Sequence, residues 1–75
     1  MRITVHDIGR IAIDREGDRW EIIGIYSDEE FCIIARLDTP HEMIECTFRP
    51  DGSHEHYVDM WDLVAWEDEI AEERK

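Results

Sequence analysis

The sequence predicts a mainly β domain: a five-stranded, twisted antiparallel meander curling toward a small barrel, with a short C-terminal helix. Three observations predict it. Turn-forming clusters recur at short intervals, at 15–18, 27–30, 38–42 and 49–53. The segments between them are short and rich in Ile, Trp, Tyr and Phe, the composition of strands. Their apolar residues also alternate, as one buried sheet face requires.

The elements follow in order. Ile11 and Ile13 share a face of the first strand, and Trp20, Ile22 and Tyr26 a face of the second. Phe31, Ile33, Ala35 and Leu37 do so in the third, and Ile44, Cys46 and Phe48 in the fourth. Folding the chain at each turn sets Ile13 opposite Trp20, Ile11 opposite Ile22, Tyr26 opposite Phe31 and Ile22 opposite Ala35. Across the Pro40 loop, Ile33 falls opposite Cys46 and Ala35 opposite Ile44. A one-residue slip would move a whole set to the other face, so agreement across three hairpins predicts the register. A fifth strand is expected over 54–58, with Tyr57 on the core face. From 59 onward a turn or short helix is favoured, although Leu63-Val64-Ala65-Trp66 reads equally as a closing strand. The tail 67–75 holds good helix formers, acids first and bases last, as the helix dipole prefers.

The length, 75 residues, fits one domain, with the sheet over about 10–58 and an acidic helical segment over about 59–75. A body this small buries only about 60% of its unfolded surface, so the core depends on its large rings. The opposite sheet face is expected to carry Ala12, Ile23, Ile25, Cys32 and Ile34. Its cover is expected from the chain's own termini, Ile3, Val5 and Ile8 or Trp61 and Trp66.

Twenty acidic residues stand against eight basic ones, a formal net charge of −12. A hydrophobic content of 43% is too high for a disordered acidic tail, so the charge belongs to a folded surface. Such a surface repels nucleic acid and anionic membranes and attracts basic protein grooves. Equally, it keeps a small protein dispersed. The polar opening 1–7 predicts no secretory leader, and two cysteines do not make a disulfide framework; a cytoplasmic location, in a host cell, is expected.

Candidate chemistry is sparse. His54-Glu55-His56 places two imidazoles on one strand face, which suits a shared ion, and Cys32 shares that face. Cys46 is expected on the opposite face, so neither a Cys2His2 site nor a Cys32–Cys46 disulfide assembles. The histidines are therefore expected exposed on an edge strand, with no metal or other cofactor. His41 precedes Cys46, but a core thiol is inert, and no enzyme is expected. The remaining feature is acid beside tryptophan. Asp28, Glu29 and Glu30 cluster at a hairpin tip, and Glu67, Asp68 and Glu69 follow Trp61. Carboxylates along one side imitate phosphates, and Trp ringed by charge is hot-spot chemistry. These seven residues are the expected partner-binding set.

Gly9-Arg10-Ile11-Ala12-Ile13-Asp14-Arg15-Glu16-Gly17-Asp18, followed by Trp20-Glu21-Ile22-Ile23-Gly24, resembles the opening hairpin of many small phage and prophage proteins. Phe48-Arg49-Pro50-Asp51-Gly52-Ser53 and the later Asp62-Leu63-Val64 extend the resemblance across about 9–64. It implies a mobile-element origin and an SH3-like sheet, and it brings no catalytic motif. The expected function is a non-enzymatic inhibitor or redirector of a host nucleic-acid-handling protein, of the anti-CRISPR, anti-restriction or RNA-polymerase-binding type. The alternative is an assembly module that forms a homodimer through an edge strand or an apolar sheet face.

Overall fold

The computed structural model describes residues 1–26, 30–41, 43–56 and 59–73. Five strands form one antiparallel sheet: β1 (Ile11–Asp14), β2 (Arg19–Ile25), β3 (Ile33–Leu37), β4 (Glu45–Phe48) and β5 (Leu63–Trp66). The spatial order is β4-β3-β2-β1-β5, so β1 to β4 meander and β5 returns to the outer edge of β1. Helix α1 (Glu67–Glu73) follows β5 directly, and 3-10 turns occupy Val5–Asp7 and Asp59–Trp61. No helix among the described residues is long and apolar enough to cross a membrane.

Fold class and C-terminal helix are as predicted, but the fifth strand lies elsewhere. Leu63–Trp66 is that strand, and among the described residues His54 makes only an isolated bridge, to Phe48. Tyr57, expected on the core face, and Val58 lie outside the described residues. Gly52 explains why the chain returns at this point. Its carbonyl accepts from Leu63 N at 2.8 Å, and its φ of +95° suits a residue without a Cβ. A Cβ there would overlap the Leu63 carbonyl oxygen. The Pro50 carbonyl accepts from Ile3 N at 2.8 Å, so a single turn docks both termini.

The register of β1 is one residue from that expected: Ala12 pairs with Trp20, and Ile13 with Arg19. Ala12 and Asp14 therefore face the core, while Ile11 and Ile13 are half-buried on the other side. Size and charge explain the inversion. Ala12 also pairs with Trp66 across β5, so it is flanked by two indoles, where a larger residue would collide. Asp14 is needed inside because its Oδ1 accepts from Glu16 N and Asp18 N, both at 2.9 Å, and its Oδ2 from Trp20 Nε1 at 3.0 Å. One buried carboxylate thus closes the hairpin turn and fixes the central indole.

A second departure is a bulge at Ile23. Ile22 pairs with Ala35 as predicted, but the next pairs are Gly24 with Ile34 and Ile25 with Ile33. The extra residue exchanges the two faces, so Ile25 packs on the core and Tyr26 is exposed. Cys32 also joins the core. In β4 the pairs are Ala35 with Cys46 and Ile33 with Phe48, a two-residue shift that keeps the predicted face. Of the termini, Ile3 and Trp66 reach the core, whereas Val5, Ile8 and Trp61 stay exposed.

Candidate functional site

The predicted partner-binding residues occupy varied settings. Asp28 and Glu29 lie outside the described residues. Glu30 pairs with Arg49. Glu67 receives a two-pronged contact from Arg19, which also binds Asp38. Asp68 receives another from Arg10, at 2.6 and 3.1 Å, while Arg10 also reaches Asp7 Oδ1 at 2.7 Å and lies 4.1 Å over the Trp66 ring. Three of the acids thus hold the protein's own elements together: Glu67 and Asp68 seat α1 against the sheet. Glu69 and Trp61 are exposed.

A different group converges where β4 turns back on itself. The Arg49–Ser53 turn folds 53–55 antiparallel to 47–49, through Arg49 N to Ser53 O at 2.9 Å and Glu55 N to Thr47 O at 3.0 Å. Phe48 and His54 then bridge, and both are fully buried. His54 is therefore no edge-strand histidine. Its ring lies in a series of edge-on contacts: Trp20 to Phe48 at 5.2 Å, Phe48 to His54 at 5.3 Å and His54 to Trp61 at 5.1 Å. Such ring pairs add about 0.5–1.5 kcal/mol each beyond area burial. Asp62 Oδ1 accepts from His54 N at 2.8 Å, and His54 Nδ1 accepts from His56 N at 3.2 Å. Among the described residues, His54 Nε2 has no hydrogen-bond partner.

Cys46 keeps the core face predicted for β4; it is His54, expected exposed, that is buried on that side, so the two come together. One ligand atom each from Cys46, His54 and Glu55 lies within 4.8 Å of the others. Folding the sequence across the Pro50 turn brings Cys46 toward 54–56. That signal was present; the buried position of His54 was not, because a histidine in a polar run reads as solvated.

The electrostatics of the group are specific. Burial lowers the His54 pKa, against the nearby carboxylates of Glu55 and Asp62, and so disfavours the charged ring. Burial, then the Glu55 carboxylate, pushes the Cys46 thiol up. Glu55 is held below its ordinary value by the Thr47 hydroxyl, which donates to Oε2 at 2.7 Å, despite partial burial. Cys, His and Glu also serve thiol hydrolases, but there the imidazole draws the proton from sulfur. Here burial and the Glu55 carboxylate instead disfavour the thiolate, the form that attacks. Its chemistry is that of sulfur, nitrogen and oxygen donors. His56, mostly exposed, places Nε2 3.9 Å from Glu55 Oε1.

On the outer sheet face an open groove of about 460 Å³ is lined by Ile11, Leu37 and Met43 with Glu21 and Arg36. No family model, curated protein or solved structure matches this chain.

Proposed function

We propose that this chain is a non-enzymatic, acidic interaction protein that binds a basic surface on a host nucleic-acid-handling protein and inhibits or redirects it. A mobile-element origin, the anti-CRISPR, anti-restriction or polymerase-binding type, and a host-cytoplasm location belong to the same proposal. The observation that carries it is the exposure of Met60, Trp61 and Val64, preceded in the chain by the exposed Asp59, on a chain of net charge −12. Apolar anchors rimmed by carboxylates suit a basic groove with an apolar floor. Internal pairing redistributes the charge without changing its sum. Arg10, Arg19, Arg36 and Arg49 each contact a carboxylate, so the surplus acid is left to face a partner. The anchor is thus Trp61 rather than Glu67 and Asp68 of α1, which are engaged within the fold.

The test is capture of host proteins on immobilised chain across a salt series, with Trp61→Ala in parallel. Binding weakens steeply with salt and weakens further in the variant, whose melting is checked separately. A captured partner indifferent to both salt and Trp61 contradicts the reading. The second reading, a homodimer, is favoured by half-buried Ile11, Ile13, Ile23 and Ile34 on the outer face and by edge strands β4 and β5. Sedimentation equilibrium that returns a strict monomer at high concentration removes it.

A further inference from the structure

We propose that Cys46, His54 and Glu55 form a binding site for a divalent transition-metal ion of the zinc class. The argument begins with the donors. A thiol, an imidazole and a carboxylate each supply one atom within 4.8 Å of the others. A tetrahedral zinc shell, built from bonds of about 2.0–2.3 Å, separates neighbouring donors by about 3.3–3.8 Å. Closing the group around an ion therefore asks for side-chain movement of about 1 Å, without rearrangement of β4. Sulfur and nitrogen together select zinc, cobalt or similar ions over calcium and magnesium, which prefer oxygen alone.

The surroundings supply the support such sites carry. Thr47 Oγ1 donates to Glu55 Oε2 at 2.7 Å and orients the carboxylate. Asp62 holds the His54 backbone at 2.8 Å, and Phe48 and Trp61 fix its ring edge-on. A fully buried histidine with one ring nitrogen unpartnered among the described residues is costly for a fold to keep and gains from a ligand. On binding, the sulfur–metal bond forms as the thiol proton leaves to solvent; ligation through His54 Nε2 also moves that nitrogen's proton to Nδ1, which gives up the bond from His56 N, so the ring stays neutral and one proton is released per ion. The dication then balances the thiolate and the Glu55 carboxylate. His56 or a water completes the shell, the former from 3.9 Å beside Glu55 Oε1.

The experiment uses the full chain, freed of metal by chelation and dialysis, titrated with zinc by calorimetry and with cobalt by absorption. The expected result is one ion per chain, a sulfur-to-cobalt charge-transfer band in the near ultraviolet, and a rise in melting temperature on zinc addition. Cys46→Ser abolishes the charge-transfer band, and Cys46→Ser and Glu55→Gln each weaken zinc binding at least about tenfold. Circular dichroism establishes that both variants are folded. His41→Ala, at a position that lines the separate outer-face groove, leaves binding unchanged. Absence of saturable zinc binding, or binding equally tight in both variants, overturns the proposal.

Discussion

Asp14 and His54 are two polar side chains sunk in one small core, at 2% and 0% exposure, and they are treated differently. Around Asp14 every need is met: two backbone amides and the Trp20 indole N–H converge on its two oxygens. Of the two nitrogens of the His54 ring, only Nδ1 has a hydrogen-bond partner among the described residues, and a thiol and a carboxylate stand close by. The first arrangement is complete in itself and serves the fold. The second spends stability without return inside the fold, which is the pattern of a group kept for a ligand.

The largest expected effect comes from breaking the complete arrangement. Asp14→Ala strands three donors in the core and costs about 3–5 kcal/mol in urea unfolding. Under the same conditions, metal-free His54→Phe changes stability by no more than about 1 kcal/mol, because an aromatic ring keeps the edge-on stack and removes an unpaired atom. Equal losses at both positions would erase the distinction.

Gly52→Ala comes next, at about 2–4 kcal/mol, because it meets both a positive φ and the Leu63 carbonyl. It sharpens the comparison because Gly52 lies in the turn between Cys46 and His54 yet supports β5. Hydrogen exchange in this variant accelerates first over 63–66 and only later at Trp20. Simultaneous loss at both would mean that the two regions open as one unit.

Why some of this was legible in the sequence and some was not follows from the same residues. Turn chemistry at Gly17 and Pro50-Asp51-Gly52 and the alternation in β3 and β4 announced hairpins, because strand period and turn φ are local properties. The face of β1 was misread because two isoleucines outweigh an alanine and an aspartate on any hydrophobicity scale. What placed Ala12 inside was lack of space between Trp20 and Trp66, a property of three strands at once. The Ile23 bulge left no mark beyond the adjacent Gly24, and one extra residue reassigned Ile25 and Tyr26. The position of β5 depended on a carbonyl contact made by Gly52, eleven residues earlier in the chain. Glu67 and Asp68 were legible as charge but not as internal partners, since it is the pairing of β5 with β1 that sets α1 beside Arg10 and Arg19. The His54 cluster was half legible: its residue types stood out, whereas burial and the approach of Cys46 came from folding the last hairpin.

The smallest effect concerns acid. Burial raises the Asp7 pKa, but the Thr4 amide, at 2.7 Å, the Arg10 guanidinium and the Thr4 hydroxyl outweigh it, so the carboxyl is held below its ordinary value. A carboxyl with a depressed folded pKa adds stability that is fully present above its unfolded value, near 4. That stability is lost as pH falls through the folded value. Melting temperature therefore drops below about pH 4, and Asp7→Asn, already lower at neutral pH, shows a shallower drop. An unchanged slope would assign the acid sensitivity to other carboxylates.

The contrast between a finished and an unfinished buried group is tested most directly by nitrogen-15 spectra of the histidine rings at neutral pH. Without metal, His54 is predicted to give a neutral ring that carries its proton on Nε2, with Nδ1 accepting from His56 N. On addition of one equivalent of zinc, one His54 nitrogen should move to the position of a metal-bound imidazole while His41 stays unchanged. A His54 ring already charged, or one that ignores zinc while the other histidines respond, would contradict the account.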